Sequence, residues 1–251
     1  MSSADIHAYR PGSKNTNAFF GPVARPRDGG GFWSSTRYEG FIAFNVQPWS
    51  DGGAGHAGYI TYPNDSIVFR VYSGGELLAT SEGWASASLF PVEPETITYT
   101  LDLDARRNPA VYRLSQRTHT VWDVVSLPIV SPEGIELMPV LQMDYRVDTD
   151  LGGTAKGGKQ KIGFSASHLP GVRGGGRIVA GTLAVSFDDG VTWRPVPVTR
   201  AAGGGWTASF TAPERGYVSL RATARDDAGN TISQEVIRAY RLGASGHHRW
   251  E

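Results

Sequence analysis

The sequence contains no cysteine, which excludes disulfide bridges, zinc–thiolate centres and cysteine nucleophiles. Helical periodicity is nearly absent as well, because 32 glycines and 15 prolines are spread along the chain and would interrupt most helices. No apolar run approaches the roughly 18 residues of a membrane-spanning helix. The N-terminal residues Met1–Ile6 lack the basic and apolar segments of a secretory signal. We therefore expect no membrane span, and either a cytosolic chain or a mature part of an exported protein.

An excess of charge of either sign is also missing. The chain has 24 Lys and Arg residues against 24 Asp and Glu residues, so its formal net charge is zero. Surfaces that follow a phosphate backbone normally carry a basic excess, so nucleic acid is not an expected partner. The basic cluster Lys156–Lys161 is short and interrupted by glycine, which is typical of a solvated loop.

What the sequence does contain is alternation of apolar and polar residues. Ile67–Tyr72, Ile97–Leu103 and Thr118–Val124 are rich in β-branched and aromatic residues with a period of two, which predicts strands. Turn residues lie between such runs, and Ser73–Gly75 and Asp189-Gly190 are the clearest hairpin signals. The predicted fold class is therefore all-β.

The length of 251 residues favours two domains, because sandwich domains have roughly 100 residues each. We predict an N-terminal jelly-roll-like sandwich over residues 5–130, with an irregular, loop-rich stretch at 11–31. A C-terminal sandwich of immunoglobulin-like or fibronectin III-like type is predicted over residues 131–243, and a disordered tail over 244–251. The C-terminal part offers seven predicted strands, Leu137–Tyr145, Gly163–Leu169, Thr182–Phe187, Thr192–Val198, Gly205–Phe210, Val218–Arg225 and Ile232–Tyr240. A single large all-β domain is the alternative.

A series of short motifs marks the C-terminal half. Val185–Trp193 contains an Asp-Asp-Gly turn followed by tryptophan, Gly204–Ala208 contains Gly-Gly-Trp, and Val218–Thr231 contains Asp-Asp-Ala-Gly-Asn. In this order, with Val236–Tyr240 at the close, the motifs resemble the C-terminal, non-catalytic sandwich region of secreted subtilisin-like serine proteases of actinobacteria. Val111–Trp122 is similar to the stretch that precedes that sandwich. The resemblance covers about residues 95–243.

The resemblance implies an extracellular accessory region that stabilises or targets a catalytic unit. Its expected partners are a protease catalytic domain, a cell-surface or extracellular protein, or a glycan. The family's catalytic Asp, His and Ser motifs are not present, and the segment around His56 lacks the Gly-Thr that follows the family's histidine. No Gly-x-Ser-x-Gly elbow accompanies the six histidines. The chain is therefore not expected to be an enzyme by itself.

We expect no cofactor, and calcium is the one candidate that the sequence offers ligands for. Asp102 and Asp104 lie two apart on a predicted strand, so both carboxylates are expected on one face, and calcium prefers such oxygen clusters. Asp226 and Asp227 lie at a predicted turn and form a second candidate. The alternative for the first pair is an exposed polar strand face, and for the second pair a turn that is capped by its own Asx side chains.

Aromatic residues provide the candidates for ligand binding. Five of them lie near glycine-rich loops of the N-terminal part: Trp33, Tyr38, Trp49, Tyr59 and Tyr62, with Trp84 in the same region. Because flat aromatic faces stack on the C–H faces of pyranose rings, they suggest a carbohydrate-binding module as the alternative function. Core packing is the competing explanation for each ring, since aromatics dominate sandwich cores. Trp122, Trp193 and Trp206 are predicted to be core or hairpin anchors.

Overall fold

In the computed structural model the described residues form eighteen β-strands and no helix. These residues are 12, 21–29, 34–53, 56, 58, 65–92, 94–130 and 134–244. Across these ranges, accordingly, there is no helix that could cross a membrane. The strands are β1 (Arg25–Asp28), β2 (Thr36–Tyr38), β3 (Phe41–Ser50), β4 (Asp65–Ser73), β5 (Glu76–Glu82), β6 (Ser86–Leu89), β7 (Ile97–Arg107), β8 (Arg117–Ser126), β9 (Ile135–Leu137), β10 (Gln142–Val147), β11 (Thr154–Lys156), β12 (Gly158–Ser167), β13 (Ile178–Ser186), β14 (Arg194–Val196), β15 (Val198–Arg200), β16 (Trp206–Ala212), β17 (Gly216–Asp226) and β18 (Thr231–Gly243).

One sheet of nine strands draws on both halves of the chain. Its order is β14-β13-β17-β18-β8-β7-β4-β5, and β11 adds to β18 in parallel. The two halves meet where β8 pairs antiparallel with β18, with Trp122 opposite Ile232 and His119 opposite Glu235. The division of the chain into domains near residue 130 remains a prediction, and this pairing joins the two sides of that division through backbone hydrogen bonds.

Two smaller sheets cover one face of the nine-stranded sheet. A five-stranded sheet (β1-β3-β2-β9, with β6 on β3) packs on the N-terminal half, where Phe44 meets Tyr99 edge to face at 5.6 Å. A four-stranded sheet (β10-β12-β16-β15) packs on the C-terminal half, where the Tyr240 hydroxyl donates to Gln160 Oε1 at 3.4 Å. Alternation produces this layering, because every second side chain of β7 and β8 is buried and its neighbours face outward. The predicted all-β sandwich fold class is confirmed.

Polar side chains fill the line along which the two smaller sheets meet. We call Arg25, Arg27, Asp28, Gln142 and Asp144 the seam; they belong to β1 and β10. The buried Arg25 guanidinium donates to the Met143 carbonyl at 2.7 Å and to the Asp144 carboxylate, which Arg27 also contacts. The Asp28 backbone N–H donates to Gln142 Oε1 at 3.0 Å. The seam therefore ties the covering layers of the two halves to each other.

The predicted hairpins are confirmed. β4 and β5 pair around Gly74 and Gly75, whose φ angles are +57° and +86°. β13 and β14 pair around Asp189 and Gly190, at φ of +57° and +87°. The first is a two-residue turn between the paired Ser73 and Glu76, and its consecutive left-handed residues match the twist of such a hairpin. In the second, Asp189 and Gly190 lie within the longer connection between the paired Val185 and Arg194.

Two predicted strands are each divided in the structure. The run predicted at Thr192–Val198 becomes β14 and β15, which lie in different sheets on either side of Pro197. Proline lacks the N–H that a continuous ladder requires, so the chain changes sheets at that point. The run predicted at Leu137–Tyr145 is likewise interrupted between β9 and β10. Residues 25–28, predicted as irregular, form β1. Of the tail predicted over 244–251, residues 245–251 lie outside the described residues.

Candidate ligand-binding surface

A row of apolar side chains crosses the outer face of the five-stranded sheet at one end. Ile42 and Phe44 of β3 are fully buried, so the alternating residue Phe41 lies on the opposite, outer face. Register then places Tyr38 beside Phe41 and Ile135 beside Tyr38. Antiparallel partners share a face, so the three side chains form one line across β3, β2 and β9.

Phe90 extends this line on the far side of β3. Phe90 directly follows Leu89, which is paired with Ile42. Two residues further on, Val92 donates its N–H to the Gly40 carbonyl at 2.9 Å. Phe90 therefore lies on the segment that runs beside Phe41. We call Ile135, Tyr38, Phe41 and Phe90 the apolar row.

The apolar row is open to solvent. Phe90 is 80% exposed, Ile135 50% and Tyr38 36%, and the Tyr38 and Phe41 rings lie 5.4 Å apart between centroids with a tilt of 40°. Tyr38 and Phe41 form a cross-strand aromatic pair within the row, and the row continues on either side of this pair as exposed apolar surface. Contiguous apolar surface of this kind usually marks a contact with another molecule.

A cleft of about 320 Å³ opens next to the apolar row. Its lining is formed by the β2–β3 hairpin on one side and by two proline-containing segments on the other: Arg37, Tyr38, Glu39, Gly40, Val92, Pro94, Pro128, Ile129, Val130 and Gly134. Arg37 is the buried charged residue of this set, and it donates to the Ser126 hydroxyl. Burial raises the pKa of Tyr99 beneath the sheet, and the nearby Arg37 cation partly offsets that rise. The cleft thus combines apolar walls with one buried cation.

One wall of the cleft is held by a residue from the C-terminal half. Arg173, in the loop between β12 and β13, donates to the Pro128 carbonyl and to Glu136 Oε2, the latter at 2.8 Å. Glu136 Oε1 in turn accepts the Val130 N–H at 3.0 Å. The wall is therefore fixed by a charged pair rather than left as a free loop, which favours a preformed site.

The aromatic residues that the sequence analysis grouped together do not share one environment. Tyr38 lies in the apolar row, whereas Trp33, Tyr59 and Tyr62 lie outside the described residues. Trp49 is 2% exposed and packs in the core. The ring of Trp49 lies 4.2 Å from the Arg107 guanidinium, and burial lowers the pKa of Arg107 to about 10. The proposed role of the five as a set remains a prediction.

The three predicted anchor tryptophans occupy different positions. Trp122 is 1% exposed and donates its indole N–H to the Leu141 carbonyl at 2.9 Å, which fastens β8 to the four-stranded sheet. Trp206 is buried and stacks on Phe164 at 5.1 Å. Trp193 is partly exposed and lies under the Arg221 guanidinium at 4.3 Å, beside the hairpin turn.

The carboxylates considered for calcium are bonded to other groups. Asp102 contacts His119 at 2.9 Å, and Asp104 accepts from Arg106 and Arg117 at 2.9 and 3.0 Å. These bonds hold the pKa of Asp104 low although its burial acts the other way. Within the described ranges no group of three or more His, Asp or Glu side chains is arranged to hold a metal ion. Calcium binding stays a prediction.

In the second carboxylate pair, Asp226 caps its turn and Asp227 bonds to Arg177 outside the turn. Asp226 accepts the backbone N–H groups of Ala228 and Asn230 at 3.0 and 2.8 Å, and Asp227 accepts the N–H of Arg177 at 2.7 Å. Burial acts to raise the pKa of Asp226, but its bonds from Asn230, Gly176 and His168 keep it below the ordinary value. The capping explanation therefore accounts for Asp226, whereas Asp227 is bonded to the backbone and the side chain of Arg177.

Among the described residues there are three histidine–aspartate pairs: His56–Asp51, His119–Asp102 and His168–Asp226, each at 2.9 Å. Such a pair orients an imidazole in hydrolases, but nucleophilic catalysis also needs a hydroxyl against the other ring nitrogen. At His119 and His168 the described residues place no hydroxyl there, and Nδ1 of His168 is buried without a partner. The geometry at these two pairs supports positioning of strands and turns rather than chemistry.

Comparison with known proteins assigns no family to the chain. No family model matches, and no curated protein matches. Among solved structures, the chain is similar to fibronectin III-like modules of Clostridium thermocellum CbhA, with 12% identity over 86% of this chain and 93% of that one and a TM-score of 0.29. A chimeric titin Z1Z2 tandem matches with 13% identity over 78% and 89% at 0.24, and red sea bream transglutaminase with 10% over 88% and 31% at 0.24. Scores this low leave the all-β assignment to rest on the strands of this chain.

Proposed function

We propose that this chain is a non-catalytic binding region that acts outside the cell and serves a secreted subtilisin-like serine protease, by stabilising the catalytic unit or directing it to a target. The observation that carries the proposal is the exposed apolar row beside a preformed cleft. Binding regions of this kind need an open apolar contact surface and no reactive centre of their own.

The motif series that resembles the protease regions supports this proposal, because each motif lies at a defined place in the fold. The Asp-Asp-Gly turn joins β13 to β14, Trp206 of the Gly-Gly-Trp motif begins β16, and the Asp226–Asn230 turn joins β17 to β18. The residues of these motifs form turns, cap them or pack against other side chains. A partner would therefore bind at another surface, and the apolar row is such a surface.

The proposal predicts a complex that depends on the apolar row. The purified chain should co-elute with the catalytic domain of a subtilisin-like protease from the same organism in size-exclusion chromatography, and should lengthen its half-life of thermal inactivation. The double substitution Y38S/F90S should weaken binding about tenfold or more, because removing two exposed rings from an interface centre typically costs at least 1.4 kcal/mol. Light scattering and titration calorimetry measure the complex.

A matched control removes similar apolar surface at a distance from the row. Leu151 is 91% exposed and Val191 82% exposed, and both lie in turns of the C-terminal half. The variant L151S/V191S should bind as the unmodified chain does. If the chain forms no complex with any such protease of its organism, or if both double variants bind equally well, the proposal is wrong.

Carbohydrate binding is the second candidate, and the specific observation in its favour is that Tyr38, Phe41 and Phe90 are rings brought together at one sheet end. On this hypothesis the chain is retained on an insoluble polysaccharide such as cellulose, chitin or xylan, and Y38S/F90S abolishes retention while far-UV circular dichroism is unchanged. Trp49 is unsuited to the test, because truncating a buried tryptophan destabilises the fold itself. A chain that passes through all these matrices would rule this candidate out and leave the protease hypothesis standing.

A further inference from the structure

The outer face of the four-stranded sheet carries two lysines that form no ion pair with any described residue. Lys159 and Lys161 lie on β12 and are exposed, whereas Gln160 and Ile162 alternate with them and are buried. The two lysines therefore share the outer face, about 7 Å apart along the strand. The basic cluster that the sequence analysis assigned to a solvated loop thus lies partly on a strand.

A third cation continues the line of the two lysines. Arg146 of β10 is exposed, and it lies opposite Gly163, the next outward position of β12 after Lys161. Antiparallel partners share a face, so Arg146 projects from the same side of the sheet. It also forms no ion pair with a described residue. We call Lys159, Lys161 and Arg146 the cation line.

Carboxylates near the cation line form no ion pair with it. Asp144, two residues before Arg146 on the same strand, contacts the arginines of the seam. Asp148 follows the end of β10, and Glu214 lies in the turn between β16 and β17. The charge of the cation line is therefore available to a partner from outside the chain.

Hydroxyl groups run beside the cation line. Register places Thr211 of β16 opposite Lys159 and Ser209 opposite Lys161, and Thr207 continues the same row. Ser209 and Thr211 are exposed. The outward positions of these four strands hold no aromatic or aliphatic side chain, because such residues of β12 and β16 alternate to the buried side.

A recess of about 130 Å³ lies at the end of the cation line, where Gly163 separates Arg146 from Thr207. A Cβ atom at position 163 would have its nearest neighbours at 3.6 Å, the Arg146 Cβ, and at 3.9 Å, the Trp206 carbonyl oxygen. The position is therefore open, and the missing side chain creates the recess. It can take a substituent that projects from a polymer lying on the face.

The composition of this face decides which class of partner fits it. Protein interfaces are enriched in aromatic residues and depleted in Lys and Ser. Single-stranded nucleic acids stack their bases on aromatic rings, and sites for membrane surfaces insert apolar side chains. A face of cations and hydroxyls without rings or aliphatic groups instead complements a chain that carries acid groups and hydroxyls, such as an acidic polysaccharide.

We propose that the outer face of the four-stranded sheet binds a linear polysaccharide that carries sulfate or carboxylate groups. The acid groups contact the cation line, and sugar hydroxyls form hydrogen bonds with Ser209 and Thr211. This site lies on a different sheet from the apolar row, and the inference does not depend on the protease.

The test measures binding of the whole chain to dextran sulfate, polygalacturonate and neutral dextran by titration calorimetry at low salt. At least one acidic polymer should bind, and comparison of the two tells sulfate from carboxylate; neutral dextran should not bind. K159Q/K161Q should weaken binding about tenfold or more, since two charge contacts are lost. The control R113Q/R225Q removes two exposed arginines outside this sheet and should bind as the unmodified chain does, as should Y38S/F90S.

Poly-glutamate separates sugar recognition from charge attraction, because it has carboxylates but no hydroxyls. S209A/T211A should weaken binding of the acidic polysaccharide about threefold or more and leave any binding of poly-glutamate unchanged, since only the sugar uses these hydroxyls. The proposal is overturned if neither acidic polysaccharide binds at millimolar concentration of repeat units, if K159Q/K161Q binds as tightly as the control, or if S209A/T211A binds the polysaccharide as the unmodified chain does.

Discussion

Replacing Arg25 by alanine is expected to lower the free energy of unfolding by about 3–5 kcal/mol, the range seen when one partner of a buried charged network is removed. Arg25 is 1% exposed, and burial lowers its pKa while the Asp144 carboxylate opposes that effect. Its guanidinium also satisfies the carbonyls of Met143, Val23 and Ser50, at 2.7, 2.9 and 3.3 Å. Alanine would leave these acceptors buried without donors, in addition to a cavity.

Urea unfolding followed by tryptophan fluorescence measures this loss, and calorimetry should show Tm falling by roughly 10 °C for a chain of this size. Lysine at position 25 keeps the charge but lacks the planar fork that reaches several acceptors, so R25K should fall between the wild type and R25A. The exposed Arg146 of the neighbouring strand provides the control, and R146A should change stability by less than about 0.5 kcal/mol. A loss below about 1 kcal/mol in R25A would show that the seam does not hold the two covering sheets together.

Alternation in the sequence predicted the strands of this fold well because it is a local property. Ile67–Tyr72, Ile97–Leu103 and Thr118–Val124 all lie within β4, β7 and β8, and the same period decides which side chains enter the core. The hairpin turns were predictable for the same reason, since a left-handed turn needs Gly, Asn or Asp at particular positions.

The pairing of β8 with β18 could not be predicted in this way. Trp122 and Ile232 face each other although 109 residues separate them in the sequence, and a period of two indicates the face of a strand but not its neighbour. The seam was missed for a related reason. Arg25 lies in a stretch rich in proline and glycine, and nothing local shows that its side chain will be buried against β10.

The candidate surface was predictable only in part. Tyr38 was identified as an aromatic near a glycine-rich turn, but Trp49, chosen on the same grounds, is buried because the last five residues of β3 are covered on both faces. Phe41 was not identified from the sequence, since its outward direction follows from the burial of Ile42 and Phe44. Phe90 carries no motif, and its place beside Phe41 depends on the register of β6.

The last prediction concerns pH, and it follows from the carboxyl group of Asp28. This residue is fully buried at the seam; its Oδ1 accepts the Ser35 N–H at 2.8 Å, whereas Oδ2 is buried without a partner. Burial raises the pKa of Asp28 to about 7, although the bonds from Ser35 and Gly29 and the Arg27 cation act to lower it. The unfolded chain has the ordinary aspartate pKa of about 3.9.

A folded-state pKa above the unfolded one means that the folded protein binds the proton more tightly. Stability from this group is therefore greatest below pH 4, falls as the pH rises from about 4 to about 7, and is constant above that range. Three pKa units correspond to at most about 4 kcal/mol. Asparagine keeps the acceptor for Ser35 and cannot ionise, so D28N should be more stable than the wild type at pH 8 by about 2–4 kcal/mol and close to it at pH 4.5.

The difference in the free energy of unfolding between D28N and the wild type, measured across the pH range, isolates Asp28 from the other titrating groups. Asp51, Asp104 and Asp226 have lowered pKa values, so their contributions have the opposite sign and are lost as the pH falls. They are the same in both proteins and cancel in the difference. D148N, at an exposed aspartate in the turn after β10, should leave the pH dependence as in the wild type. If the stability difference between D28N and the wild type stays constant from pH 4.5 to 8, Asp28 is charged in the folded protein throughout, and the seam must stabilise that charge through Arg27 more strongly than its burial indicates.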